Sequence, residues 1–170
     1  MTRDQGVHIR GGRHGDGIIS VVAVGAVFIL IGIVFITTPN LATSIGDFFG
    51  DMTTAQFPFG SSSSTIALPA PAHPGSHTTV YSAWTQFDFG IGILQVVILV
   101  WRLMIGSPLR RKSETLGNLV FWFGAAFLTM SVLSVGTTTS WFEYWSALVM
   151  LVGITVVLRA IIHLVAGKRK

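Results

Sequence analysis

Three polar side chains recur at regular spacing within an otherwise apolar segment. Asp88, Gln95 and Arg102 stand seven residues apart, so a helix would place them on one face with a drift of about 20° at each step. Ionisable groups inside a bilayer are costly and usually point into a helix bundle or a wet cavity. This face is therefore the leading candidate for a binding or transport site. In the alternative interpretation, Asp88 and Arg102 reach the two headgroup layers, and only Gln95 makes an interhelical hydrogen bond.

A second candidate site is the pair His73 and His77, which flank the sequence Pro-Gly-Ser. Imidazole is a good ligand for copper, zinc and nickel. Proline and glycine between the two histidines oppose the helical geometry of a metallopeptidase motif, and no third ligand stands nearby in the sequence. The pair is a weak metal candidate, and we expect no cofactor unless a partner supplies further ligands.

Other catalytic chemistries lack the residues that they need. The chain has no cysteine, which excludes a disulfide, a thiolate metal site and a cysteine nucleophile. The glycine-rich phosphate loops, the HExxH zinc motif and the GxSxG nucleophile motif are absent from the sequence. We therefore expect a protein that is not an enzyme when it acts alone.

The composition is that of a membrane protein. Hydrophobic residues make up 51% of the 170 residues, charged residues only 11%, and the mean hydropathy is +0.68. The sequence pI is about 10.1, but the basic residues lie in short segments between apolar ones and do not form a patch on a soluble surface. We expect the lipid bilayer as a partner and no nucleic acid.

Four apolar segments are each long enough to cross a bilayer, which requires about 20 residues. The first could instead be a cleaved signal peptide, but its apolar part exceeds the usual ~7–15 residues, which favours a retained anchor. The predicted fold is an all-α integral membrane protein with a bundle of four transmembrane helices. The predicted segments are a tail at 1–16, span one at 17–38, a loop at 39–81, span two at 82–106, a turn at 107–115, span three at 116–137, a turn at 138–140, span four at 141–165 and a tail at 166–170.

The loop at 39–81 divides into two parts. Leu41, Ile45, Phe48 and Met52 follow helical spacing, so residues 41–52 are predicted to form a short amphipathic helix on the membrane surface. Residues 57–79 are rich in Ser, Pro, Ala and Gly, a composition typical of an extended, flexible spacer.

Basic residues predict the orientation in the membrane. All eleven Lys and Arg residues lie near the two termini, at the end of span two or in the turn at 107–115. By the positive-inside rule, both termini and this turn face the cytoplasm, and the protein lies in the cell membrane. The predicted basic anchors are Arg110, Arg111, Lys112 and Arg159, and the predicted aromatic anchors at the opposite interface are Trp84, Trp141 and Trp145.

Small residues predict where helices approach one another. Gly25 and Gly32 in span one, like Gly124 and Ser131 in span three, stand seven apart and share a helix face. An offset of 57 residues aligns Trp84 with Trp141 and Arg102 with Arg159, which is compatible with two repeated helical hairpins. Alternatively, such agreement recurs in any two helices that cross the bilayer in the same direction.

These features favour a non-enzymatic accessory, structural or assembly subunit of a larger membrane complex. Its partners would be other membrane proteins or copies of itself. The alternative is a small oligomeric transporter or channel that uses the polar face of span two. A third hypothesis is a subunit whose histidines help to form a metal or quinone enzyme site completed by a partner.

Overall fold

The computed structural model describes residues 11–58 and 65–167. Most of these residues are helical, and one short antiparallel sheet is present. The helices are α1 (Gly11–Thr37), α2 (Leu41–Gly50), α3 (Thr78–Met104), α4 (Leu109–Ser131) and α5 (Thr138–Gly167), the strands are β1 (Met52–Pro58) and β2 (Thr65–Pro71), and two short 3-10 turns cover Pro74–Ser76 and Leu133–Val135.

Three helical segments are long and apolar enough to cross a membrane. They are Thr78–Met104, Leu109–Val135 and Thr138–Val165, with mean hydropathies of 1.8, 1.7 and 2.5. A fourth candidate is a bent pair, Val21–Thr37 followed by Leu41–Gly50, whose two helices meet at 90°. The described part of the chain is therefore mostly helical, with three or four candidate spans, which is consistent with a multi-pass membrane protein. The fourth crossing and the positions of the termini stay predictions.

The long helices pack in the order α1, α3, α4, α5. Glycines allow close approach at each contact. Leu30 of α1 fills the space beside Gly90 of α3, and Phe123 of α4 lies against Gly92. At the next contact, Leu151 of α5 lies over a glycine of α4. Within the described residues, α1 has no comparable contact with α5, so the helices do not close into a ring.

The short helix predicted in the loop is present, but its apolar face meets protein. α1 ends before Pro39, which cannot donate a backbone hydrogen bond, and Asn40 adopts a left-handed conformation with φ 56°. α2 then turns away, and its residues Leu41 and Phe48 are buried. Leu41 packs with Val34 and the α3 residue Ala83.

The expectation of a flexible segment at 57–79 is corrected by the β-hairpin. β1 and β2 pair antiparallel, with Met52 opposite Pro71 and Pro58 opposite Thr65. Each strand has only one neighbour, so prolines are accommodated. The indole Nε1 of Trp141 donates to the carbonyl of Pro69 at 3.1 Å, which ties β2 to α5. Residues 59–64, part of the predicted spacer, lie outside the described residues, as do the tail at 1–10 and residues 168–170.

The main buried core lies at one end of the long helices, here called the cap end, where α2, the hairpin and the 3-10 turns meet. The two 3-10 turns touch through Gly75 and Gly136, and Gly136 has φ 69°, a conformation that favours glycine. The opposite end, here called the basic end, carries the junction between α3 and α4. The cap core comprises Phe48, Ala70, Tyr81, Leu133, Trp141, Phe142 and Tyr144.

Candidate functional site

Asp88 of α3 is buried among the helices at the cap half of the molecule. Its residue is only 1% exposed, and neither carboxylate oxygen has a hydrogen-bond partner. Its polar neighbours are Thr129 of α4 and Tyr144 of α5. Asp88 is thus covered by protein, and its depth relative to the outer headgroup layer stays a prediction.

A groove lies between α3 and α4 on the cap side of Asp88. Its volume is about 340 Å³, and although hydroxyl and amide side chains border it, most of its lining surface is apolar. Thr129 lines the groove and is also a neighbour of Asp88. The groove residues are Thr78, Tyr81, Ser82, Thr85, Gln86, Thr129, Met130 and Ser134.

The structure separates the three residues of the predicted polar face. Arg102 is half-buried at the basic end, where its Nη1 donates to the Arg111 carbonyl at 2.7 Å and to the Thr115 hydroxyl. Gln95 is half-buried between Asp88 and Arg102. Fourteen residues of helix separate Asp88 from Arg102, about 21 Å along the axis. Arg102 therefore fastens α3 to the start of α4 and is not a counter-ion for Asp88.

The basic end is a network of hydrogen bonds centred on α4. Arg159 of α5 donates from Nη2 to Asn118 Oδ1 at 2.6 Å, and its side chain occupies the space beside Gly117. Arg110 pairs with Glu114 one turn later, with 3.2 Å between Nε and Oε1. The predicted anchors Arg110, Arg111 and Lys112 all lie in the first turn of α4.

The two loop histidines are brought together by a carboxylate. His73 Nδ1 lies 2.8 Å from Asp51 Oδ1, and His77 Nε2 lies 2.9 Å from Oδ2. The backbone N–H of His73 also donates to Asp51 Oδ2 at 2.8 Å. We call these three residues the Asp51 cluster. The hydrogen bond from His77, followed by those from His73, holds the pKa of Asp51 well below its usual range.

Asp51, His73 and His77 do not amount to a metal centre. Among residues 11–58 and 65–167, no group of three or more His, Cys, Asp or Glu side chains has an arrangement that could hold a metal ion. Both histidines direct a ring nitrogen at the carboxylate, so the geometry is that of a hydrogen-bonded carboxylate. His77 is buried and His73 is exposed, and together they join the end of α2 to the start of α3.

The predicted aromatic anchors form one cluster at the cap end. The ring centroids of Trp141 and Trp145 lie 5.6 Å apart, and those of Trp84 and Trp145 lie 6.2 Å apart. Trp141 is buried, and its ring lies 5.9 Å from that of Phe48. Trp141 thus packs inside the cap, and its role as an interfacial anchor stays a prediction.

The four predicted packing residues behave differently. A Cβ at Gly124 would lie 2.8 Å from Leu151 Cδ1, so this glycine accommodates α5. Ser131 is exposed, and its hydroxyl donates to the Phe127 carbonyl at 2.6 Å within the same helix. No atom of another segment lies within 4 Å of a Cβ at Gly25 or Gly32.

The partners of these residues were not evident in the sequence. Asp51 precedes His73 by 22 residues, and only the turn after α2 and the pairing of β1 with β2 bring them together. Asn118 and Tyr144 are single polar residues in apolar segments, with no motif to mark them. Helical periodicity places Asp88 on a face, but it does not show which helix covers that face.

Comparisons with protein-family models, with curated proteins and with solved structures give no match for this chain. The function is therefore argued from the contacts of its own residues.

Proposed function

We propose that this protein is a non-enzymatic subunit of a larger membrane assembly and that it docks through α1. The observation that carries this proposal is the direction of Gly25 and Gly32. Val34 follows Gly25 by nine residues, and at about 100° of rotation per residue it lies roughly opposite Gly25 on the helix. Val34 is buried against α3, so the two glycines point away from the rest of the chain.

The same face has the spacing of a helix-pairing surface. Val22, Gly25, Ile29, Gly32 and Ile36 follow one another at intervals of three, four, three and four residues. This is the spacing of knobs-into-holes packing. Ile29 and Ile36 are 67% and 85% exposed. Gly25 and Gly32, which lack side chains, leave space next to these isoleucines. We call these five residues the α1 seam.

Lipid alone does not account for the α1 seam. Acyl chains cover any apolar side chain, whereas glycine lets another helix backbone approach closely and gain van der Waals contacts. The partner is therefore a transmembrane helix, from a second copy or from another subunit. In the proposed orientation the basic end and both termini face the cytoplasm, with the cap end on the other side of the cell membrane.

Site-specific photo-crosslinking in the native membrane tests the docking face. A benzophenone amino acid replaces Ile29 in the α1 seam. In the control it replaces Val24, which is 58% exposed and lies about 100° around the helix from Gly25. We expect an adduct from position 29 and little from position 24. The adduct's mass and peptides identify a second copy or another membrane protein. Equal yields at both positions would contradict a specific face.

Filling the space at Gly32 tests whether the glycines are needed. Gly32→Leu places a large side chain in the α1 seam, and Gly153→Leu places the same side chain on α5, where a Cβ also meets nothing within 4 Å. We expect both variants to fold. In mild detergent, only Gly32→Leu should fall from the mass of the assembly to that of the single 18.3 kDa chain. If Gly32→Leu keeps the mass of the assembly in mild detergent, the proposal is wrong.

A small oligomeric transporter is the second candidate, favoured by the buried and unpartnered Asp88 beside the groove. Its test is ion flux in proteoliposomes, where Asp88→Asn should lower the rate. An unchanged rate would count against it.

A further inference from the structure

Asp88 carries a buried carboxyl group, and the surrounding helices place no positive charge beside it. Both of its oxygens are inaccessible, and within residues 11–58 and 65–167 neither has a hydrogen-bond partner. A carboxylate held in this way, without a counter-charge, costs several kcal/mol. A neutral carboxylic acid avoids that cost and gains an O–H that can donate to a neighbouring hydroxyl oxygen.

The elements around Asp88 supply no cation. The sequence of α1 from Val21 to Thr37 and of α4 from Thr115 to Ser131 contains no titratable side chain. On α5, Tyr144 is buried and Glu143 is exposed. The basic side chains of α5, Arg159 and His163, lie at the basic end against Asn118 and Ser113. On α3 itself, the nearest basic side chain is that of Arg102, which is engaged at the basic end.

The hydroxyls beside Asp88 are suited to accept a hydrogen bond. Thr129 donates its own proton to the Ala125 carbonyl at 3.0 Å, which leaves lone pairs on its Oγ1. Tyr144 Oη lies 3.4 Å from Thr129 Oγ1. Tyr144 is fully buried, so these two hydroxyls form a short polar chain inside the helices.

The groove offers this chain a connection to solvent. Thr129 borders the groove, whose other polar residues continue toward the start of α3. A second cavity of about 390 Å³ shares Thr78, Ser82 and Gln86 with the first and reaches Thr37 at the end of α1. The two adjoining grooves thus extend from the cap end to Thr129, with hydroxyl and amide side chains along an otherwise mostly apolar lining.

We propose that Asp88 is a proton-binding site that exchanges with solvent at the cap end through the groove above Thr129. The carboxyl O–H bond breaks as its proton passes to the Thr129 hydroxyl, which releases its own proton to a water molecule in the groove; the reverse transfers restore the acid. The ligand is a proton, with no other reactant. This inference does not depend on docking through α1 or on transport activity.

Infrared spectroscopy of the full-length chain in lipid measures this site directly. We expect the C=O stretching band of a protonated carboxylic acid near neutral pH, which disappears on alkalinisation and is absent in Asp88→Asn. Asp47→Asn, which removes an exposed carboxylate from α2, should leave the band unchanged. Wild-type protein with ¹³C-labelled aspartate provides a second assignment that needs no variant at position 88.

Hydrogen exchange tests the route. In D2O the band should shift promptly in the wild type and more slowly in Thr129→Val, which keeps the side-chain shape but removes the hydroxyl. The proposal is overturned if no acid band is assignable to aspartate, or if the band does not respond to D2O. Loss of the band on addition of Na⁺ at constant pH would also overturn it, because the ligand would then be a metal cation.

Discussion

Asp51 accepts hydrogen bonds from both histidines of the connection between β2 and α3. Because those bonds favour the ionised carboxylate, the pKa of Asp51 is lower in the folded protein than in an unfolded chain. The resulting stabilisation is fully present above the unfolded pKa of about 3.9 and is lost as the pH falls through the lower folded value. The cap end should therefore loosen in acid.

The variant Asp51→Asn tests this prediction. Asparagine has one acceptor oxygen where aspartate has two and carries no titratable carboxylate, so we expect lower stability of the cap end at neutral pH and a smaller further loss on acidification below about pH 4. Tryptophan fluorescence in detergent measures the change, because Trp141 packs in the cap core. The exposed Asp47 is the matched control, and Asp47→Asn should titrate like the wild type. Identical acid profiles for Asp51→Asn and the wild type would refute the stabilising role of Asp51.

At the scale of the elements, some glycines lie where two helices of this chain pack together, and others lie on the face of α1 that we propose contacts another molecule. Gly124→Val should destabilise the packing of α4 on α5 by about 1–3 kcal/mol, because the added atoms collide with Leu151. Gly25→Val, on the exposed side of α1, should leave the stability of the isolated chain nearly unchanged. Unfolding in graded SDS measures both. Equal losses for the two variants would show that Gly25 is also packed within the chain.

The sequence predicts the long helices well because an apolar segment of membrane length is a strong local signal. It also places α2, since Leu41 and Phe48 follow helical spacing. The hairpin was missed because its residues are compositionally biased, and because the contact that orders β2 comes from Trp141, 72 residues away. The face containing Asp88 was predictable from periodicity, but its position beside Thr129 and Tyr144 depends on how three helices pack.

At the scale of the whole molecule, the proposed orientation places the basic end and the cap end on opposite sides of the membrane. The chain has no cysteine, so a single introduced thiol reports its own position. An impermeant maleimide should label Ala67→Cys, which is exposed on β2, in intact cells. Leu109→Cys, which is exposed at the start of α4, should react only after permeabilisation. The reverse pattern would invert the proposed orientation.

The cap core draws its residues from distant parts of the chain. Phe48, Ala70 and Tyr81 come from the first half, whereas Trp141, Phe142 and Tyr144 lie on the last helix. During synthesis, α2 and the hairpin emerge from the ribosome long before the side chains that cover them. The cap can therefore close only after α5 has been made, and a nascent chain that stops after α4 leaves the aromatic residues of the first half uncovered.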